Sequence, residues 1–401
     1  MAFFLFVKQF VDMLYQYHAP DYIMVIMVLL MLIYQIALVR PDIRRRFMLT
    51  DGIIILLGLL LTITFIRSGS GYQAYFKVMS AFLVYFMGRV YYDRIRECYG
   101  TLTFAAYLIV YINFFARVAR FGITLTKVAD AGGDLYYYDT DMAFAMILAM
   151  VFIAMFGRNS VFKLFTIFIV CPYMVFFSDA GIQMVLMIAV YTIIFIYVME
   201  LVLRNKKFTG ILLSVMILGL LGIVAVIYMP VLGFDNPEFV INLFRSRFLN
   251  NQSMYSRYVE WKMILDSCKE QGLFAGLFGV GMGAGIHIRS LYIKIFYSLG
   301  YVGLGLALLL IISIMYYVTK VEDRKTFYLA VIMAVLLLGS GVAVNSMEST
   351  QMSWFPLLFS GMVISSVQVE REKEDEDRRY VGSYNGDDKT GAPNESVGIK
   401  G

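Results

Sequence analysis

Residues 208–229 read FTGILLSVMILGLLGIVAVIYM and hold no charged side chain. A helix rises 1.5 Å per residue, so about 20 such residues match a hydrocarbon layer of roughly 30 Å. The same pattern recurs on both sides of this run. Apolar stretches lie at 21–39, 50–66, 74–90, 101–117, 141–157, 161–178 and 182–203 before it, and at 300–318, 326–344 and 352–368 after it. The expected fold is all-α: a polytopic integral membrane protein of eleven transmembrane helices, or twelve if residues 1–18 hide a broken one.

Bulk composition agrees with that class. Of 401 residues, 60% are hydrophobic, 16% are charged and only 7 are proline. Tyrosines sit at many span ends, as an interfacial belt requires. Cys98, Cys171 and Cys268 are scattered and offer neither a disulfide framework nor metal-ligand spacing. With only His18 and His287 available, a histidine-based metal site is not expected. FFLFV near the start is too short for the apolar core of a signal peptide and runs into Lys8.

Loop charge sets the expected orientation, because short cytoplasmic loops collect Lys and Arg. Arg40, Arg44, Arg45, Arg46, Arg89, Arg94, Arg96, Arg158, Lys163, Arg204, Lys206, Lys207, Lys320, Arg324 and Lys325 all fall on one side of the eleven runs. That side is expected to be cytoplasmic in a multi-pass plasma-membrane protein, with the N-terminus outside and the C-terminus inside. The domains follow: an interfacial segment at 1–20, eight spans over 21–229, one long extracytoplasmic loop at 230–299 and three spans over 300–368. The tail at 369–401, opening EREKEDEDRRYVGSYNG, is polar and expected to be disordered.

The loop at 230–299 is where chemistry is expected. It carries Arg245, Arg247, Arg257, Lys262 and Lys269, although long loops translocate largely regardless of charge. Arg67, Arg117 and Arg120 border short outer loops and oppose the trend more sharply. Arg289 stands just before the ninth span. A guanidinium fork can hold two phosphate oxygens at once. The bland alternative is snorkelling toward lipid head groups. Residues 254–270, MYSRYVEWKMILDSCKE, repeat apolar side chains at Met254, Tyr258, Trp261 and Leu265, which predicts an amphipathic helix along the membrane or capping the bundle. Glu260 on that helix could accept a proton, or pair with Arg257. Six glycines follow between Gly272 and Gly285. They allow close backbone approach to an anion, with Gly281 and Gly283 as candidates, or make a flexible connector. Gly279-x-Gly281-x-x-Ala284 mimics a nucleotide fingerprint, but no strand precedes it. His287, with an ordinary pKa near 6.5, is a candidate base. Tyr136, Tyr137, Tyr138, Asp139 and Asp141, before the fifth span, suit either sugar rings or the interface belt.

Residues 256–283, SRYVEWKMILDSCKEQGLFAGLFGVGMG, and 286–306, IHIRSLYIKIFYSLGYVGLGL, resemble the O-antigen polymerase and O-antigen ligase superfamily. That family pattern is a tryptophan-bearing helix after an arginine, a glycine-rich turn, a His-Asn or His-Ser pair, about nine residues, and then Gly-x-x-Gly entering a span. Ser290, Gly300 and Gly303 fit the spacing; Arg289 stands where the family has histidine, and His287 lies two residues earlier. The resemblance implies an extracytoplasmic glycosyltransferase acting on a glycan carried by polyprenyl diphosphate, with no metal, nucleotide or other cofactor. It implies Arg257, with Arg245 or Arg247, on the diphosphate, and makes His287, Arg289, Arg257 and Glu260 the catalytic candidates. Arg67, Arg117, Arg120, Arg245, Arg247, Gly281, Gly283 and Ser290 become candidates for substrate binding. The departure at Arg289 favours a polysaccharide polymerase, of capsule, exopolysaccharide or O-antigen type, over a ligase. A lipid-linked sugar transporter is the alternative from another class. Membrane lipid, the lipid-linked oligosaccharide, a chain-length regulator and a flippase are the expected partners; nucleic acid is not.

Overall fold

A computed structural model describes residues 6, 8, 26, 29, 30, 33, 37, 46–69, 71–123, 135–176, 178, 181–229, 251–281 and 288–387. All regular structure among them is helical. The elements are α1 Leu49–Ser68, α2 Tyr72–Val90, α3 Tyr92–Glu97, α4 Tyr99–Phe121, α5 Leu135–Phe156, α6 Val161–Phe176, α7 Gly181–Leu203, α8 Lys206–Tyr228, α9 Asn251–Glu270, α10 Leu273–Phe278, α11 Leu291–Val318, α12 Arg324–Ser340 and α13 Thr350–Asp387. Six of these, α1, α4, α7, α8, α11 and the Thr350–Glu372 part of α13, are long and apolar enough to cross a membrane. Every predicted run from 50–66 onward falls largely on a helix, though some helices extend well beyond their runs; the run at 21–39 lies mostly outside the described residues.

The helices run up and down between two ends. One carries Arg89, Arg94, Arg96, Arg204, Lys320 and Lys325 and is here the basic end; the other carries Gly279, Gly281 and Gly300 and is the glycine end. The post of the bundle is α13, whose Thr350–Glu372 stretch is almost wholly buried, whereas α8 is mostly exposed and lies on the rim. The exposed row Ile211, Val215 and Leu218 on α8 is the kind of surface that only an apolar solvent covers without cost. α2 crosses α13 at two glycines. A Cβ at Gly88 would strike the Leu358 carbonyl, and one at Gly361 would strike the Tyr85 carbonyl. Small residues let backbones pack this closely where lipid supplies no hydrophobic drive. Phe6 and Lys8 are helical, and Lys8 is buried with its Nζ 4.6 Å from the Trp354 ring centroid.

Three boundaries differ from expectation. The predicted span 326–344 stops at Ser340, where the chain enters a turn over 341–349 and Ser346 Oγ donates to Leu337 O at 3.1 Å. The tail does not lose its structure at 369: α13 continues through the charged run to Asp387. Glu, Lys and Arg are strong helix formers, and a span already in place removes the cost of nucleation. Lastly, α11 begins at Leu291 rather than at 300, and Gly300 breaks it with φ 66 and ψ −162.

A local defect in α6 has a readable cause. Thr166–Val170 form a π-helical turn directly before Pro172. Proline has no N–H, so the Ile167 carbonyl, five residues back, loses its donor in that register. The Tyr191 hydroxyl of α7 donates to it instead.

Candidate functional site

The glycine end of the bundle is built around the first turn of α11. Ser290 caps that helix, accepting from Ile293 N at 3.5 Å. Its hydroxyl also meets the Tyr228 hydroxyl at 2.8 Å, and Tyr228 lies 3.4 Å from Val342 O in the 341–349 turn. One tyrosine at the end of α8 therefore joins the start of α11 to the turn before α13. Leu291 N donates to Gly341 O at 2.8 Å and Tyr292 Oη to Leu338 O at 2.7 Å, which fastens the same junction.

The amphipathic helix predicted over 254–270 is α9, and it caps the bundle. Its buried face is Trp261, Ile264 and Cys268, with Tyr258 and Leu265 beside them. Ile264 and Cys268 join the predicted stripe; the Met254 side chain lies outside the described residues. Trp261 stacks on Tyr228 with ring centroids 5.1 Å apart and 15° between planes, while Tyr258 meets it edge-on. Val259 and Met263 point outward.

Arg257 stands on this cap, half-buried, next to Arg289, Glu260 and Tyr228. Burial and the charge of Arg289 both lower its pKa, against the opposing pull of Glu260. Two guanidinium groups close enough to repel each other, on a partly desolvated surface, favour an anion between them. Arg257 Nε, Glu260 Oε1 and Trp261 Nε1 are buried atoms with no hydrogen-bond partner among the described residues. A buried donor or acceptor left unmade costs about 1–3 kcal/mol. A ligand that meets these atoms recovers part of that cost.

The glycine run has a packing reason. Val280 N donates to Tyr297 O at 2.7 Å, so residues 279–281 lie along the break in α11. A Cβ at Gly300 would strike the carbonyls of Leu277 and Gly276, and one at Gly279 would strike Ser298. Gly281, with φ 127, approaches Ser68 so closely that a Cβ would lie 2.8 Å from that side chain. Arg67 donates to Gly279 O and covers the Phe274 ring at 5.5 Å. Gly281 and Arg67 thus brace the turn.

The predicted residues separate accordingly. Arg257, Glu260, Arg289 and Ser290 come together, with Arg289 exposed and Ser290 fully buried in its cap. Arg117 packs elsewhere, its guanidinium 5.8 Å from the Tyr173 ring of α6. Arg120 is helical in α4, but its side chain lies outside the described residues, as do Tyr136, Tyr137, Tyr138 and Asp139; Asp141 is buried. Arg245, Arg247, Gly283 and His287 also lie outside the described residues. Sequence reasoning missed Tyr228, Lys294, Ser298 and Glu348. Lys294 is buried on the first half of α11, with its Nζ 3.4 Å from Glu348 Oε1. The i, i+4 spacing of Lys294 and Ser298 within the otherwise apolar LYIKIFYSL was the available signal that this stretch is helical.

No protein-family profile matches the chain, and no curated protein matches it significantly in sequence.

Proposed function

We propose that this protein is an extracytoplasmic polysaccharide polymerase that joins repeat units carried on polyprenyl diphosphate. In this reading eleven spans cross the plasma membrane, the basic end faces the cytoplasm and the glycine end faces out. The observation that carries it is the group of buried atoms Arg257 Nε, Glu260 Oε1 and Trp261 Nε1, without hydrogen-bond partners among the described residues, beside Tyr228 and the capped start of α11. Arg257 and Arg289 would hold the diphosphate and stabilise the charge that grows on it as it leaves, a preorganised electrostatic role. The surrounding apolar helices would keep both lipid tails beside the site and so supply proximity. Diphosphate is already a good leaving group, so the reaction proposed draws on no nucleotide.

Two other readings remain within reach of the same experiment. A ligase would transfer finished glycan to a different acceptor. A transporter would bury its polar groups near the middle of the bundle; the Arg257 cluster instead lies at one end. The test is a gel of lipid-linked and surface glycan from cells lacking the protein and from cells carrying Arg257→Ala. Single repeat units in both support the polymerase. Long polymer stranded on its carrier indicates the ligase, units retained on the cytoplasmic side indicate transport, and an unchanged glycan profile in the deletion refutes all three.

A further inference from the structure

Two groups of charged residues gather near the start of α11. Arg257, Glu260 and Arg289 form one, near Tyr228; in the other, Lys294 meets Glu348 from the turn before α13. Tyr228 reaches Ser290 Oγ at 2.8 Å, one turn before Lys294, and Val342 O at 3.4 Å, in the turn that carries Glu348. Lys294 is more than nine-tenths buried. Its 3.4 Å approach to Glu348 is an ion-pair distance that leaves Oε1 without a hydrogen-bond partner among the described residues. One helical turn beyond Lys294, on the same face, Ser298 is 3% exposed and its Oγ likewise has no partner there. Two residues later the helix breaks at Gly300. Interrupted helices and buried charges inside apolar bundles are costly, and they gather where a polar ligand is handled.

We propose that Lys294, Ser298 and Glu348 form the acceptor subsite, with Glu348 as the base that takes the proton from the acceptor sugar hydroxyl. This rests on the polymerase reading. The acceptor oxygen bonds to the anomeric carbon of the donor. The bond from that carbon to the diphosphate oxygen breaks, and its electron pair leaves with the diphosphate between Arg257 and Arg289. The hydroxyl proton passes to the Glu348 carboxylate. In an inverting displacement the base stands across the anomeric carbon from the leaving group. Glu260 sits beside Arg257, on the leaving-group side, and serves there as a counter-charge. Glu348, from the turn before α13, is paired with Lys294 and not with a leaving-group arginine. Lys294 offsets the Glu348 charge in an apolar surrounding, and Ser298 offers a donor and an acceptor to a second hydroxyl of the ring.

The experiment uses the full chain in lipid nanodiscs, fed with lipid-linked repeat units extracted from cells lacking it. Polymer formation is followed against repeat-unit concentration, and binding of bare polyprenyl diphosphate is read by native mass spectrometry. Glu348→Gln is expected to lower turnover by at least ~100-fold, the scale of lost general-base catalysis, while bare carrier binds within about twofold of wild type. A variant carrying both Lys294→Met and Glu348→Gln removes the two charges together, so neither is left buried alone. It is expected to melt as wild type does and to be as inactive as Glu348→Gln. Ser298→Ala is expected to raise KM at unchanged kcat, and it reads the subsite even where the charge variants do not fold. Glu348→Gln turning over within about tenfold of wild type, or Ser298→Ala with unchanged KM, overturns the subsite alone. Wild-type protein that makes no polymer overturns the polymerase, and the acceptor subsite with it.

Discussion

The Arg89 network at one end of this bundle and the Arg257 cluster at the other treat buried charge in opposite ways. At the basic end, Arg89 of α2 is closed on every side. Its Nε meets Asp51 Oδ1 at 3.1 Å, Nη1 donates to Ser365 Oγ and Gln368 Oε1, and Nη2 donates to Arg46 O and Asp51 Oδ2. Asp51 in turn accepts from Tyr85 Oη at 2.7 Å and from Met48 N at 2.8 Å, the second closing the start of α1. Glu200 accepts from Tyr328 and Thr209 and lies 3.3 Å from Arg324 Nε, an ion-pair distance at which Nε makes no hydrogen bond among the described residues. At the glycine end Arg257, Glu260, Trp261 and Ser298 each keep a buried polar atom without a partner among the described residues. Saturated networks such as that of Arg89 hold helices together. Unmet atoms occur elsewhere, at Arg324 and Gln183, but the Arg257, Glu260 and Trp261 atoms are gathered on one helix, and such a group suits a ligand.

Asp51→Asn is the harshest way to break this contrast. It leaves the Arg89 charge buried with only neutral acceptors, and removing one partner of a buried pair costs about 3–5 kcal/mol. A melt in detergent should show the largest loss of any single change discussed here. A melt shifted by no more than a surface substitution would mean that the basic end is not the lock between α1, α2 and α13 that its geometry describes.

Both networks bear on what the sequence discloses. The spans were legible because apolar run length alone decides them: α7 and α8 match 182–203 and 208–229 almost residue for residue. Arg89 was read as a loop charge, although it ends α2 inside the core, because charge counting treats a buried arginine and a solvated one alike. At the other end, Arg257 and Arg289 were legible as residue types that suit an anion, and Glu260 as one that could accept a proton or pair with Arg257. Lys294 and Glu348 were not, because the pair joins residues 54 positions apart across a turn and a broken helix. Arg67 and Gly281 were assigned to ligand binding, whereas their close neighbours are the protein's own backbone and Ser68.

Gly300→Ala tests whether the break in α11 is built in. The φ of 66 is unfavourable for alanine, and the added Cβ meets the carbonyls of Leu277 and Gly276. A loss of about 1–3 kcal/mol is expected, from strain and overpacking together. If the helix straightened instead, the variant would melt at or above wild type, and α10 would become newly accessible to protease. That result would remove the interrupted helix from the account of the glycine end.

A smaller loss, about 1 kcal/mol, is expected from Tyr191→Phe, which leaves the Ile167 carbonyl without its donor at the π-helical turn of α6. Smallest of all should be the effect of Arg257→Met on stability. The side chain carries an Nε without a partner among the described residues and feels the like charge of Arg289, and methionine keeps its apolar stem. The melt should move by no more than about 0.5 kcal/mol, the range of substitutions away from structural features, and a gain is as consistent as a loss. The same variant should accumulate single repeat units on the glycan gel. Asp51→Asn should weaken the fold; Arg257→Met should spare the fold and lose the product. An Arg257→Met protein that melts far below wild type would instead make this arginine a structural group, bonded within the bundle as Arg89 is, and the distinction between the two ends would no longer identify a site.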